Sequence, residues 1–208
     1  IAMPRGKWSP YEHGSRALCL AHWKGRILPR TTPALAMYCD ILPTLVDFAG
    51  GEDPLLDGKS LTGLWMEKEV KNHRDEVLIS NVHPFWQKAI VTDTYKLIWT
   101  GHPEREHIWG NFNSKGKFFA KPWAEWIEKA KTHATAARKV ERILQPKTFE
   151  LYDIVSDPYE TKDLASKAKH KQRIKTLHEK LKSLMAECGE STTPPQASDR
   201  NKKKNQTK

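Results

Sequence analysis

The chain has 208 residues, 38% of them hydrophobic and 29% charged, and a formal net charge of +10 at pH 7. That length suits one ordinary domain or two small ones, and no apolar run is long enough to cross a bilayer as a helix. The basic balance favours a polyanionic partner, but zinc-finger spacing, an RNP-like aromatic strand and a P-loop are all missing, so no nucleic-acid partner is expected.

The first organised stretch is GKWSPYEHGSR, residues 6–16, where Gly and Pro punctuation predicts a loop that presents Lys7. A loop lysine offers three hydrogen-bond donors to an oxyanion. Residues 17–22 (ALCLAH) read as a short apolar strand and residues 23–26 as a turn. In ALAMYCDILPTLVDFAGG, the residues Ile41, Leu42, Leu45, Val46 and Ala49 share one face at helical spacing. Asp40 is the predicted N-cap, Pro43 falls in the first turn, and Gly50-Gly51 ends what reads as a buried helix. Ser60 caps a short helix running to Met66, and the charged run 67–76 reads as a linker between two domains.

Residues 77–79 form a predicted strand, and residues 88–92 and 95–100 a hairpin about Asp93-Thr94. The polar stretch 101–121 sets His102 and His107 beside Glu104 and Glu106, at a spacing that fits no metal-site template. Pro122 opens a helix whose stripe runs from Trp123 through Trp126, Ile127, Val140 and Leu144 until Pro146 stops it. Residues 149–154 (FELYDI) read as a strand, followed by a helix start with Asp157 as cap, Pro158 first and Glu160 third. The last helix, 167–187, is apolar along Ile174, Leu177, Leu181, Leu184 and Met185, basic on its other face, and stopped by Cys188-Gly189. Beyond it the sequence is polar and reads as a disordered basic tail. Cys19, Cys39 and Cys188 contain no CxxC pair, so neither a zinc site nor a disulfide framework is indicated.

Four of these stretches together resemble one family. Gly6-Lys7 with Tyr11-Glu12-x-Gly14-x-Arg16, Asp40-x-x-Pro43-Thr44 with Asp57-Gly58-x-Ser60-Leu61, Tyr95-Lys96-Leu97-Ile98, and Glu150-Leu151-Tyr152-Asp153 through Leu164-Ala165 follow the order found in type I, formylglycine-dependent sulfatases. His13 stands where that family usually has a small residue, Ala17-Leu18 where Val-Pro is common, and Asp163 where it has asparagine. The resemblance covers the chain to about Glu187 but only the C-terminal portion of the family's protein.

It implies an α/β fold: the end of an alkaline-phosphatase-like large domain over 1–72, then a small antiparallel sheet with packed helices over 73–187, with 188–208 as the tail. It further implies a sulfuric-ester hydrolase of sulfated sugars or aryl sulfates, periplasmic or secreted, using Ca2+ and a formylglycine made inside a Cys/Ser-x-Pro-x-Arg motif. Neither the three cysteines nor any serine here begins that motif. The family's metal ligands lie upstream of the lysine loop and would precede Ile1, so no metal ligand is expected among these residues. Lys7 takes the family's sulfate-contacting role. His83, Trp86 and Lys88, in VHPFWQK, are further candidates for substrate contact, the aromatic for a sugar face and the basic groups for sulfate. The chain alone is therefore expected to be inactive, and the competing readings are a non-catalytic polyanion-binding module or an inactive truncated product.

Overall fold

A computed structural model describes residues 6, 9–52, 55–66, 72–81, 86–103 and 120–194. The chain divides into two compact units, one of Ile1–Arg16, Leu78–Ile90 and Lys96–Lys208, the other of Ala17–Val77 and Val91–Tyr95.

The first unit is built on a four-stranded antiparallel sheet in the order β1 (Glu76–Asn81), β2 (Gln87–Thr92), β3 (Tyr95–Thr100) and β4 (Phe149–Asp153). The hairpin between β2 and β3 follows the sequence expectation, with Thr92 Oγ1 accepting the Tyr95 N–H at 2.9 Å across the turn. Both central strands are buried on both faces, which forces Lys88 and Lys96 indoors along with Ala89, Ile90, Leu97 and Ile98. A core of Tyr11, Ala89, Ile98 and Tyr152, flanked by Ile79 and Ile154, covers one side.

The stripe that reads as one helix after Pro122 is two: α4 (Ala120–Ala130) and α5 (Ala134–Leu144). The chain breaks at His133, whose backbone is extended at φ −121° and ψ 110°. Folding back lets the two halves of the stripe face each other, so that Trp123 buries against Val140 and Ile143, with Ile127, Ala130 and Leu144 around them. A straight helix would have left those groups far apart on one exposed side.

The helix start expected at Asp157 is also absent. Its carboxylate accepts the N–H groups of Thr161 at 3.0 Å and Lys162 at 2.7 Å, too far along the chain for a helix cap, and so closes a loop instead. Glu160 within that loop has a left-handed backbone, φ +52°. A 3₁₀ turn at Ala168–His170 then leads into α6 (Lys171–Glu187), which buries Leu177, Leu181 and Met185. Its end is a Schellman turn: Glu190 N–H bonds to Met185 O at 2.8 Å and Gly189 N–H to Ala186 O at 3.0 Å. Residues 188–194, expected in the tail, therefore hold defined positions.

The second unit carries α2 (Ile41–Phe48), preceded by a 3₁₀ turn at Tyr38–Asp40, and α3 (Thr62–Met66). Residues 17–22 belong to no strand among the described residues, and Leu18 and Leu20 are exposed. The apolar stripe of α2 is not its buried face either: Thr44 is buried while Leu42 and Leu45 are more than half exposed. Those leucines line an apolar hollow of about 450 Å³ with Tyr38, Ile41 and Leu56. The helix is anchored through polar groups, as described below, and Phe48 sits edge-on to Trp23 with ring centroids 5.0 Å apart.

Candidate functional site

Lys7 itself, like His83, lies outside the described residues. Gly6 before it and the residues from Ser9 onward are described. Gly6, Ser9, Pro10 and Tyr11 are all buried. Tyr11 donates its phenol to Glu150 Oε1 at 2.7 Å, and the Glu12 N–H bonds to Glu160 Oε2 at 2.9 Å. The short helix α1 (Glu12–Ser15) then turns the chain under its own loop. There Gly14 is obligatory: a Cβ on it would stand 2.2 Å from the Gly6 carbonyl oxygen and 2.5 Å from that of Ser9. The glycine of the Tyr-Glu-x-Gly motif is thus the floor on which the lysine-bearing loop closes.

Beneath that floor lies a buried charge cluster. Lys96 Nζ, fully buried on β3, bonds to Glu12 Oε1 at 2.8 Å and pairs with Glu160 Oε1 at 3.0 Å. An ammonium in the interior is tolerable only with partners of this kind. Burial pushes the Glu160 carboxyl above its ordinary value, against the pull of Lys96 and of the Glu12 N–H. Alongside, Arg142 reaches from α5 to the Glu160 carbonyl at 3.0 Å, to the Thr161 carbonyl at 3.1 Å, and to the Tyr152 hydroxyl. Tyr152 in turn bonds to the Glu150 carboxylate that holds Tyr11. Three of the sequence motifs, Tyr11-Glu12-x-Gly14, Tyr95-Lys96 and the Glu150-to-Glu160 stretch, therefore meet in one network whose product is the placement of the chain on either side of Lys7.

The remaining part of that last motif is structural as well. Asp163 Oδ1 accepts the N–H groups of Leu151 at 3.1 Å and Ala165 at 2.9 Å, work that an asparagine oxygen would do equally. Its second oxygen takes Lys147 at 2.8 Å, which is what the carboxylate adds.

In the second unit Asp40 plays the corresponding part. Its carboxylate is fully buried and accepts the N–H groups of Met37 and Lys59, both at 2.8 Å, the Arg74 guanidinium at 3.0 Å through Nε and again through Nη2, and His73 Nε2 at 3.1 Å. Thr44 donates to the Asp40 carbonyl at 2.6 Å and accepts the Leu61 N–H at 2.8 Å. A Cβ on Gly58 would come within 2.0 Å of the Cys39 carbonyl oxygen, so the Asp-Gly-x-Ser-Leu turn can close here only with glycine. Burial acts to raise the Asp40 carboxyl, and Arg74 with the two N–H groups outweighs it, holding the group well below the ordinary carboxylate range. Burial lowers His73, with Asp40 pulling the other way.

Of the other sequence candidates, Trp86 and Lys88 are both buried, at 5% and 2% exposure. Trp86 stands edge-on to Trp99 with centroids 4.8 Å apart, and Lys88 pairs with Glu190. Sequence reasoning missed both the Lys96, Glu12 and Glu160 set in the first unit and the pairing of His73 and Arg74 with Asp40 in the second. The available signal was a lysine set within an apolar strand, which demands a carboxylate from somewhere. Among the described residues no three His, Cys, Asp or Glu side chains converge to hold a metal ion, so these residues offer calcium no ligand set.

No model of a known protein family matches the chain. It is 30% identical to an ulvan-active sulfatase of Formosa agariphila over 199 residues, covering 89% of this chain and 36% of that protein. A 61-residue stretch is 46% identical to human arylsulfatase A, covering 28% of this chain and 12% of that protein. The chain therefore spans about a third or less of the length of these relatives. In fold it is similar to a Bacteroides fragilis protein assigned to the sulfatases, with a TM-score of 0.50 at 17% identity, over 82% of this chain and 29% of that one.

Proposed function

Because the chain belongs to the sulfatase family, as a C-terminal portion of it, we propose that it supplies the sulfate-contacting lysine and the small C-terminal subdomain of a sulfuric-ester hydrolase. The observation that carries this reading is the 30% identity to a sulfatase over 89% of the chain. The anchoring network supports it: buried groups hold the polypeptide at Tyr11 and Glu12, just after Lys7, as a residue that must meet a substrate oxygen requires.

In this reading Lys7 donates to a sulfate oxygen and steadies the charge that gathers there as the S–O bond breaks. His83 is a further candidate for contact with the substrate's sulfate. A divalent cation, calcium, would supply further positive charge at the sulfate oxygens when bound. The nucleophile, a formylglycine, and the cation's ligands come from polypeptide other than these residues, since no Cys/Ser-x-Pro-x-Arg motif occurs in them. The substrate is a sulfated sugar or aryl sulfate; the activity on ulvan named for the Formosa agariphila relative favours a sulfated polysaccharide. The site of action is periplasmic or extracellular. No helix among the described residues is long and apolar enough to cross a membrane.

The test is sulfate release from an aryl sulfate and from sulfated oligosaccharides by the protein as its native source makes it. Calcium-dependent release, reduced at least about 100-fold in kcat/KM by Lys7→Ala, is the expected result. Unchanged turnover in that variant would overturn the role of Lys7. The isolated 208-residue chain should release no sulfate with or without calcium.

A further inference from the structure

Lys88 carries a charge that the anchoring network does not use. It sits on β2 with 2% of its side chain exposed, and its Nζ bonds to Ser80 Oγ on β1 and to the Glu190 carboxylate. Ser80 Oγ donates to the same Glu190 oxygen at 2.9 Å, and the ammonium lies 5.4 Å from the centroid of the Trp86 ring. Two donors thus converge on one carboxylate oxygen, with the Trp86 ring beside the ammonium.

Lys88 and Ser80 come from the sheet, whereas the anion does not. Glu190 is delivered by the Schellman turn after α6, and its side chain is 27% exposed. Ser80 is exposed as well. The cation is therefore buried in the sheet, and the anion reaches it from the less buried turn after α6. Removal of that carboxylate would leave a buried ammonium uncompensated, a state that any small oxyanion would relieve.

We propose that Lys88 and Ser80 form an oxyanion site whose resident occupant is the chain's own Glu190. Its ligand class is a single sulfate or carboxylate group, free or as the charged end of an ester. Trp86 is 5% exposed and packs edge-to-face with Trp99, so the site grips the anion and not a sugar ring. The pairing draws the Glu190 carboxyl down although burial acts to raise it, in keeping with a cation held close. This inference is independent of the proposed hydrolysis, because it concerns anion binding by this chain alone.

Chemical rescue tests it. In the 208-residue chain, Glu190→Ala and Glu190→Gln should lower Tm, and inorganic sulfate at tenfold its Kd should raise Tm by about 3 to 6 °C where chloride at equal ionic strength does not. Sulfate also stabilises proteins generally, so the reference is the same titration on a Lys88→Met/Glu190→Ala double variant. A shift no larger than in that double variant would overturn the proposal and leave Glu190 as a purely structural tie. Equal rescue by sulfate and by a sulfated monosaccharide would support a site for the bare anion, and stronger rescue by the sugar would assign it to an ester group. Should either single variant fail to melt cooperatively, refolding in sulfate but not in chloride would support the site, and failure in both would count against it.

Discussion

Lys96 Nζ and Glu160 Oε1 lie 3.0 Å apart at a point where both side chains are almost wholly excluded from water. Glu160 holds a left-handed backbone to get there, which costs on the order of 1 kcal/mol for a residue that is not glycine. The ion pair and the Glu12 N–H are what offset it. Lys96→Met should therefore cost about 3 to 5 kcal/mol in urea unfolding, since two carboxylates lose their partner inside the protein. The double variant with Glu160→Gln should cost clearly less than the sum of the single changes. Additive losses would show that the two groups are not coupled. With Lys96 gone, the carboxyl of Glu160 should rise further, so the variant should lose stability as pH increases.

Gly14→Ala should be among the most damaging small substitutions in the chain. The added methyl would meet two backbone carbonyl oxygens at 2.2 and 2.5 Å, neither of which can swing away as a side-chain tip would. A loss of about 2 to 4 kcal/mol is expected, with limited proteolysis between residues 6 and 9 accelerated. Wild-type stability and proteolysis in Gly14→Ala would contradict the close passage of the loop over α1.

The Asp40 cluster should make the second unit labile to acid in two stages. The folded His73 binds its proton more weakly than an ordinary histidine, whose pKa is about 6.5, so its contribution is present above that pH and erodes as pH falls below it. Asp40, held below the ordinary aspartate value of about 3.8, contributes fully above that pH and loses its contribution as pH falls toward the lower folded value. Fluorescence of Trp23 and Trp65 followed from pH 7 downward should report both stages. Asp40→Asn should cost about 3 kcal/mol at pH 7 and abolish the lower stage. A profile flat from pH 7 to pH 3 would rule out the assignment.

The helical hairpin offers a packing test. Trp123 fills the space between α4 and Val140 and Ile143 of α5, so Trp123→Ala should cost about 3 to 5 kcal/mol. Trp126, four-tenths exposed on the same helix, should tolerate alanine within about 1 kcal/mol. A single straight helix over 122–144 would make the two substitutions similar, which helix-selective hydrogen exchange can distinguish.

What the sequence made legible was what local chemistry decides. The β2–β3 hairpin follows from two apolar runs and a polar turn, and the stop of α6 from Gly189. The break at His133 was not legible, because the apolar stripe continues at helical spacing on both sides and only tertiary packing favours folding it in two. Asp157-Pro158 misled for a related reason: the helix-start pattern is correct locally, but Lys96 on a distant strand claims Glu160. The Asp40 cluster shows the same limit. His73 and Arg74 sit in a charged run that resembles a linker, and nothing nearby marks them as partners of a carboxylate more than thirty residues earlier. At the candidate site, the motifs contained Glu12, Lys96 and Glu160, but only their meeting in space showed what these side chains do.

The length of α6 acquires a meaning from its far end. Each residue of an α-helix advances the chain 1.5 Å and turns it by about 100°. His170 is buried where the helix begins, and Glu190 must emerge facing Lys88 where it ends. Between those two points the helix works as a gauge. Its solvent-facing residues can be exchanged freely, but adding or removing one would swing the carboxylate about a quarter turn from the ammonium, so the number of residues there is constrained more tightly than their identity.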